Sequence, residues 1–109
     1  MKMKRVVAVS VIALFVCSFV SISLAQDPPK TGKQLFEQNC SPCHPNGSNI
    51  VNPAFTLHKK DREAHGVKTA KDIIGKMRNP GPGMTKFDEK MISDKDAKKI
   101  AEYIMKTFK

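Results

Sequence analysis

The segment Cys40-Ser41-Pro42-Cys43-His44 places two thiols and an imidazole within five residues, and no other part of the chain restricts its fold so strongly. A structural zinc site would use the same thiolates but needs four tetrahedral nitrogen or sulfur ligands. The one other cysteine, Cys17, lies in an N-terminal apolar run, and His58 and His65 have no Cys-x-x-Cys pair beside them. A thioredoxin-like dithiol needs a strand ahead of it in a βαβ pattern, whereas the residues before Cys40 read as helix. Zinc, a redox dithiol and a simple disulfide are therefore the weaker readings. The spacing is that of c-type haem attachment, in which each thiol forms a thioether to a haem vinyl group and the following histidine is the proximal iron ligand. Cys40, Cys43 and His44 are the candidate residues.

The N-terminus bears on where this chemistry happens. Lys2, Lys4 and Arg5 precede an apolar run from Val6 to Val20, and Ser23-Leu24-Ala25 offers a small-x-small cleavage site. Residues 1–25 read as a removed signal peptide, which implies export to the periplasm. A retained membrane anchor is the alternative, because the run to Ala25 is nearly long enough to span a bilayer. The serines at 10, 18, 21 and 23 and the cleavage-like ending oppose it. Cys17 as an acylated residue is opposed by the bulky Phe15 and Val16 before it. Export also leads to an oxidising compartment, where a free Cys-x-x-Cys would close on itself. Haem-attachment (c-type maturation) machinery is thus an implied partner in biogenesis.

Residues 26–109 are expected to form one small domain, and a chain of that size buries little apolar surface alone. Phe36, Phe55, Phe87, Tyr103 and Phe108 are the aromatics available for a core, with no tryptophan. A porphyrin would fill the gap, so folding is expected to depend on it. The pattern is helical throughout, without alternating strands. Thr31 and Gln34 have capping-box spacing ahead of Leu35 and Phe36. Residues 45–55 have loop composition, and 57–65 hold at most a short polar helical turn. A further helix opens at Thr69 with Asp72 at the box position, presents Ile73, Ile74 and Met77 on one face, and ends at Asn79-Pro80-Gly81-Pro82-Gly83. The last helix opens at Ser93 with Asp96, and its stripe is Ala97, Ile100, Ala101, Ile104 and Phe108.

An iron held by one histidine has a sixth position, and its occupant separates electron transfer from ligand chemistry. Met77 belongs to a helical apolar face, Met91 precedes the last helix and Met105 lies within it. Met84 sits in the irregular Pro80-Gly81-Pro82-Gly83-Met84-Thr85-Lys86-Phe87, which can bring a thioether onto the iron. His58 and His65 are the alternative ligands.

The chain resembles the class I monohaem cytochromes c, and within them the small photosynthetic-type cytochromes and their bacterial relatives. Gly32, Phe36 and Cys40 repeat the Gly-x-x-x-aromatic-x-x-x-Cys entry of that class, Ile100 and Tyr103 match its final helix, and residues 47–51 are similar to its Gly/Asn-rich loop. The resemblance implies an all-α cytochrome c fold of three to four helices wrapped around one covalently attached haem c. It also implies a close approach of the first and last helices at Gly32, His44 and Met84 as axial ligands, and an orienting carbonyl for His44 near Pro53. Thr85 and Lys86 depart from the proline and small residue that often follow the methionine in this class.

A six-coordinate His/Met iron changes geometry little between oxidation states, so the expected function is reversible one-electron transfer between redox proteins, without catalysis on a bound substrate. Without the three leader cations, the formal +9 falls to +6 before the haem propionates are counted. Lys59, Lys60, Lys95, Lys98, Lys99, Lys106 and Lys109 are either a solvated face or a basic rim that steers the protein to acidic docking surfaces. Nucleic-acid binding is not expected of an exported chain without interleaved aromatics. A monomer is expected, and no permanent anchor. A haem enzyme or gas sensor with an open sixth position is the other functional class, with His58 or His65 as its distal acid–base residue.

Overall fold

The computed structural model describes residues 26–109, and the leader expected over residues 1–25, with Cys17, lies outside them. Among these described residues four α-helices follow one another: α1 (Gly32–Asn39), α2 (Lys59–Ala64), α3 (Ala70–Arg78) and α4 (Asp94–Thr107), with a 3-10 turn at Pro45–Gly47 between α1 and α2. No strand occurs among the described residues. The fold is all-α, as the periodicity predicts.

Two helix starts are fixed by reciprocal caps. The Thr31 hydroxyl accepts from the Gln34 N–H at 3.2 Å while the Gln34 side chain accepts from the Thr31 N–H at 2.9 Å. Thr69 and Asp72 repeat the exchange at 3.2 and 2.9 Å. At α4 only half of it forms: Ser93 accepts from the Asp96 N–H, but the Asp96 carboxylate turns to Lys99 at 3.3 Å. Helix α3 stops because Pro80 disfavours the helical region for the residue before it. Asn79 accordingly sits at φ −139°, ψ 74°.

Helices α1 and α4 cross at Gly32, where a Cβ would overlap the Lys99 carbonyl and come within 3.1 Å of the Tyr103 Cβ. The missing side chain is what allows the contact. Phe36 enters the space so opened, its ring 5.3 Å from Tyr103 and 5.4 Å from Phe108 between centroids. Leu35, Ile73, Met77, Ile92 and the α4 stripe of Ala97, Ile100, Ala101 and Ile104 complete the core. Burial of each large aliphatic chain contributes about 1.5–3 kcal/mol.

One expected core aromatic lies elsewhere. Phe55 is 47% exposed. The loop before it is pinned by Asn49, whose side chain accepts from the N–H groups of Val51 and Asn52 and donates to the Phe55 carbonyl at 2.9 Å. These bonds hold the Phe55 ring out against His65, 4.0 Å between centroids.

Candidate functional site

Helix α1 delivers the cysteines. The Cys40 N–H closes the helix on the Phe36 carbonyl at 2.8 Å, and the N–H groups of Cys43 and His44 then both donate to the Cys40 carbonyl, at 3.1 and 2.8 Å. This tight turn keeps both thiols at one end of the site with the imidazole beside them.

His44 is buried at 9% exposure, and its Nδ1 lies 2.8 Å from the Ser48 carbonyl oxygen. A carbonyl only accepts, so Nδ1 carries a proton, and in the neutral ring Nε2 then keeps its lone pair, the tautomer a metal-binding histidine requires. The orienting carbonyl is therefore that of Ser48 and not one near Pro53. The cause is local. The 3-10 turn carries Asn46 at φ 53° and Gly47 at φ 80°, which reverses the chain within four residues of His44. Ser48 is locked there by bonds from its N–H and hydroxyl to the Pro45 carbonyl.

Met84 is presented by a tight turn. The Met84 N–H points to the Gly81 carbonyl at 3.4 Å, and Gly83 has φ 87° behind Pro82, the proline-then-glycine order of a type II turn. Beyond it the chain is anchored twice: the Phe87 N–H donates to Met77 O at 2.9 Å, and Arg78 Nη1 donates to Phe87 O at 3.0 Å. Arg78 Nη2 also reaches Asp94 at 2.7 Å, tying the Met84 loop to the start of α4. That hydrogen bond holds the Asp94 carboxyl below the usual range.

These segments enclose a crevice. Its larger part, about 420 Å³, is walled by Cys40, His44 and Met84 together with the core side chains Ile73, Met77, Ile100 and Ile104. A smaller recess of about 90 Å³ continues past Cys43, Thr85 and Phe87 and again touches Cys40, His44 and Met84. The four residues expected from the sequence thus meet on one apolar crevice. Its volume suits a cofactor. Burial pushes the Cys40 thiol up to about 11. That environment favours an uncharged thioether sulfur over a zinc-bound thiolate. Among the described residues, no group of three or more His, Cys, Asp or Glu side chains is placed to hold a separate metal ion. The walls and the donor set fit haem.

The two alternative histidines separate. His58 precedes α2 and packs near-perpendicular to the Phe108 ring, 5.8 Å between centroids, and does not line the crevice. His65 does line the larger part, with Nδ1 2.8 Å from the Asp61 carbonyl oxygen. Met77 lines it too, from within α3, whereas Met91 is exposed and takes no part. Sequence reasoning missed Ser48, Asn49 and Arg62. The Asn46-Gly47 pair was the available signal for the first, since that dipeptide favours positive φ.

Comparison with known proteins agrees with this geometry. The family described as cytochrome c oxidase, cbb3-type, subunit III matches residues 27–104. Cytochrome c6 of Cyanidium caldarium is 33% identical over 100 residues, covering 92% of this chain and 87% of that one. Cytochrome c6 of Pyropia yezoensis is 32% identical over 105 residues, covering 96% and 94%. Among solved structures, the outer membrane cytochrome F (OmcF) of Geobacter sulfurreducens is 47% identical, with a TM-score of 0.70 over 72% of this chain and 99% of that chain. The chain belongs to the cytochrome c6-type monohaem cytochromes c, small all-helical electron carriers with one covalently attached haem c.

Proposed function

We propose that this protein is an exported, periplasmic one-electron carrier in which Cys40 and Cys43 hold the haem through thioethers and His44 and Met84 are its axial ligands. When bound, the haem supplies one-electron iron chemistry whose potential a thioether ligand raises relative to two imidazoles. The observation that carries the reading is the His44–Ser48 bond, which fixes the ring and leaves Nε2 as the ligating atom. Met84 is favoured over Met77 because its turn lies against both parts of the crevice, while Met77 is committed to the core. Val51, Phe55 and Met84 are exposed apolar side chains on the crevice lining, where a partner can approach.

Residues 1–25 act as the leader that brings the chain to the haem-attachment machinery. Acidic redox partners are favoured by the lysines. Lys59 and Lys98 pair with Glu63 and Glu102 on their own helices and Lys99 with Asp96, while Lys60, Lys95, Lys106 and Lys109 form no ion pair among the described residues. The partner reaction should slow as salt rises.

The ligand assignment is tested by visible spectroscopy of the ferric protein during a redox titration. The weak sulfur-to-iron charge-transfer band should be present in the wild type, in Met77→Leu and in Met91→Ala, and absent in Met84→Ala. A band that survives Met84→Ala would overturn it. Tight carbon monoxide binding by the reduced wild type would instead favour an open iron site.

A further inference from the structure

Arg62 is buried at 4% exposure and has no anionic partner among the described residues. Its Nε donates to the Leu57 carbonyl at 2.7 Å, Nη1 contacts the Met105 sulfur at 3.1 Å and the Val67 carbonyl at 3.5 Å, and Nη2 reaches the Phe108 carbonyl at 3.5 Å. Every acceptor is neutral, and two lie at the limit of a hydrogen bond. The nearby carboxylates are engaged elsewhere: Asp61 accepts from the Thr56 hydroxyl and Glu63 pairs with Lys59. A buried cation served this way is poorly compensated. A guanidinium has five N–H donors, and of the two on Nη2 one has no acceptor here.

Arg62 lines the crevice, and the lining is polarised. Cys43, Thr85 and Phe87 border only the smaller recess, whereas Arg62, His65 and Lys76 border only the larger part. Among the described residues neither part is lined by an aspartate or glutamate. A haem held by its vinyl edge at the cysteines carries two propionate carboxylates on the other side of the ring. We propose that Arg62 is the buried counter-ion of a haem propionate, a carboxylate subsite at the end of the crevice away from Cys43. This rests on the haem reading above. Arg is suited to the role because its fork matches a carboxylate and it stays protonated. Pairing offsets the carboxylate charge, and loss of the cation should leave that charge free to stabilise ferric iron.

The test compares the wild-type holoprotein with Arg62→Met, Arg62→Lys and Lys60→Met, the last removing an exposed cation from the same helix. At the wild-type midpoint potential, Arg62→Met should raise the ferric-to-ferrous ratio by roughly tenfold, equivalent to about 59 mV for one electron. It should also shift the propionate bending mode in resonance Raman spectra. Arg62→Lys should keep the ratio near wild type while the mode shifts and thermal stability falls. Lys60→Met should change neither ratio nor mode. An Arg62→Met protein that melts earlier with ratio and mode unmoved would overturn the proposal, leaving Arg62 as a staple for backbone carbonyls. If Arg62→Met does not fold, Arg62→Lys decides: an unshifted propionate mode overturns the pairing. Wild-type protein without covalent haem would overturn both readings, whereas an intact holoprotein with unmoved values overturns only this one.

Discussion

Gly47 and Gly66 have nearly the same backbone conformation, at φ 80° and φ 78°, but opposite surroundings. A Cβ on Gly66 would meet nothing within 4 Å. One on Gly47 would lie 2.6, 2.8 and 2.9 Å from three ring carbons of Phe108. Carbon atoms rest at about 3.5–4.0 Å, so the ring would have to move by about 1 Å. It has little room to do so, being packed on Phe36 and Tyr103 with its backbone bonded to Ile104 and Lys59. Gly66→Ala should therefore cost about 1–2 kcal/mol, the strain of a left-handed L-residue. Gly47→Ala should carry the same strain plus about 1–3 kcal/mol of overpacking, in total about 2–5 kcal/mol.

Guanidinium unfolding of the ferric holoprotein, followed by far-ultraviolet circular dichroism at constant m, measures both costs. Repeating Gly47→Ala in a Phe108→Leu background isolates the overlap, and its cost should fall toward that of Gly66→Ala. The site should respond as well, because the Gly47 N–H donates to the His44 carbonyl at 3.1 Å and Ser48, which holds the imidazole, follows directly. Equal costs for the two glycine substitutions, or no coupling to Phe108, would refute the steric account.

Arg78→Met removes the bonds that tie the Met84 loop to α4. It should cost about 1–2 kcal/mol for the lost charged hydrogen bond and, under the proposed Met84 ligation, let added imidazole displace Met84 more readily, which a spectral titration of the ferric protein reads. An imidazole affinity equal to wild type would contradict that anchoring. Asp72 is held below its usual pKa, chiefly by the Thr69 N–H and then by the Thr69 side chain and the Lys68 N–H. A carboxyl lowered on folding stabilises the protein above its unfolded pKa of about 3.9, and that stability is lost as pH falls through the folded pKa. Below about pH 4 the wild type should therefore lose melting temperature more steeply than Asp72→Ala, and parallel curves would show that the cap does not titrate.

What could be read from the sequence was what is decided within a few residues. Thr31 with Gln34 and Thr69 with Asp72 mark helix starts because both partners of each cap lie in one turn. The α4 stripe is legible because its period is set by the helix alone. Ser48 was only half legible: Asn46-Gly47 marks a turn with positive φ, but not that this turn carries the Ser48 carbonyl to the His44 ring. Arg62 was harder still. An arginine in a six-residue polar helix is expected in solvent, and only the packing of α2 beneath the end of α4 buries it. Phe55 failed in the other direction, since an aromatic beside a cofactor crevice carries the same sequence signal as one in the core.

The same crevice sets how far fold and cofactor can be separated. Ile73, Met77, Ile100 and Ile104 belong to the core and also wall the larger part of the crevice, so emptying it strips one side of the core of its partners. At about 24 cal/mol per Å³, a closed void of about 420 Å³ would cost about 10 kcal/mol. The crevice opens to water, which makes this an upper limit, but it spans most of the 5–15 kcal/mol that stabilises an ordinary domain. Cys40→Ala/Cys43→Ala protein stripped of haem should therefore show little helical circular dichroism and no cooperative melt at 25 °C, and haem added back should restore both. A haem-free chain that keeps native helicity and melts cooperatively would mean that α1, α3 and α4 suffice as a core and that the crevice is a pocket in a self-standing domain.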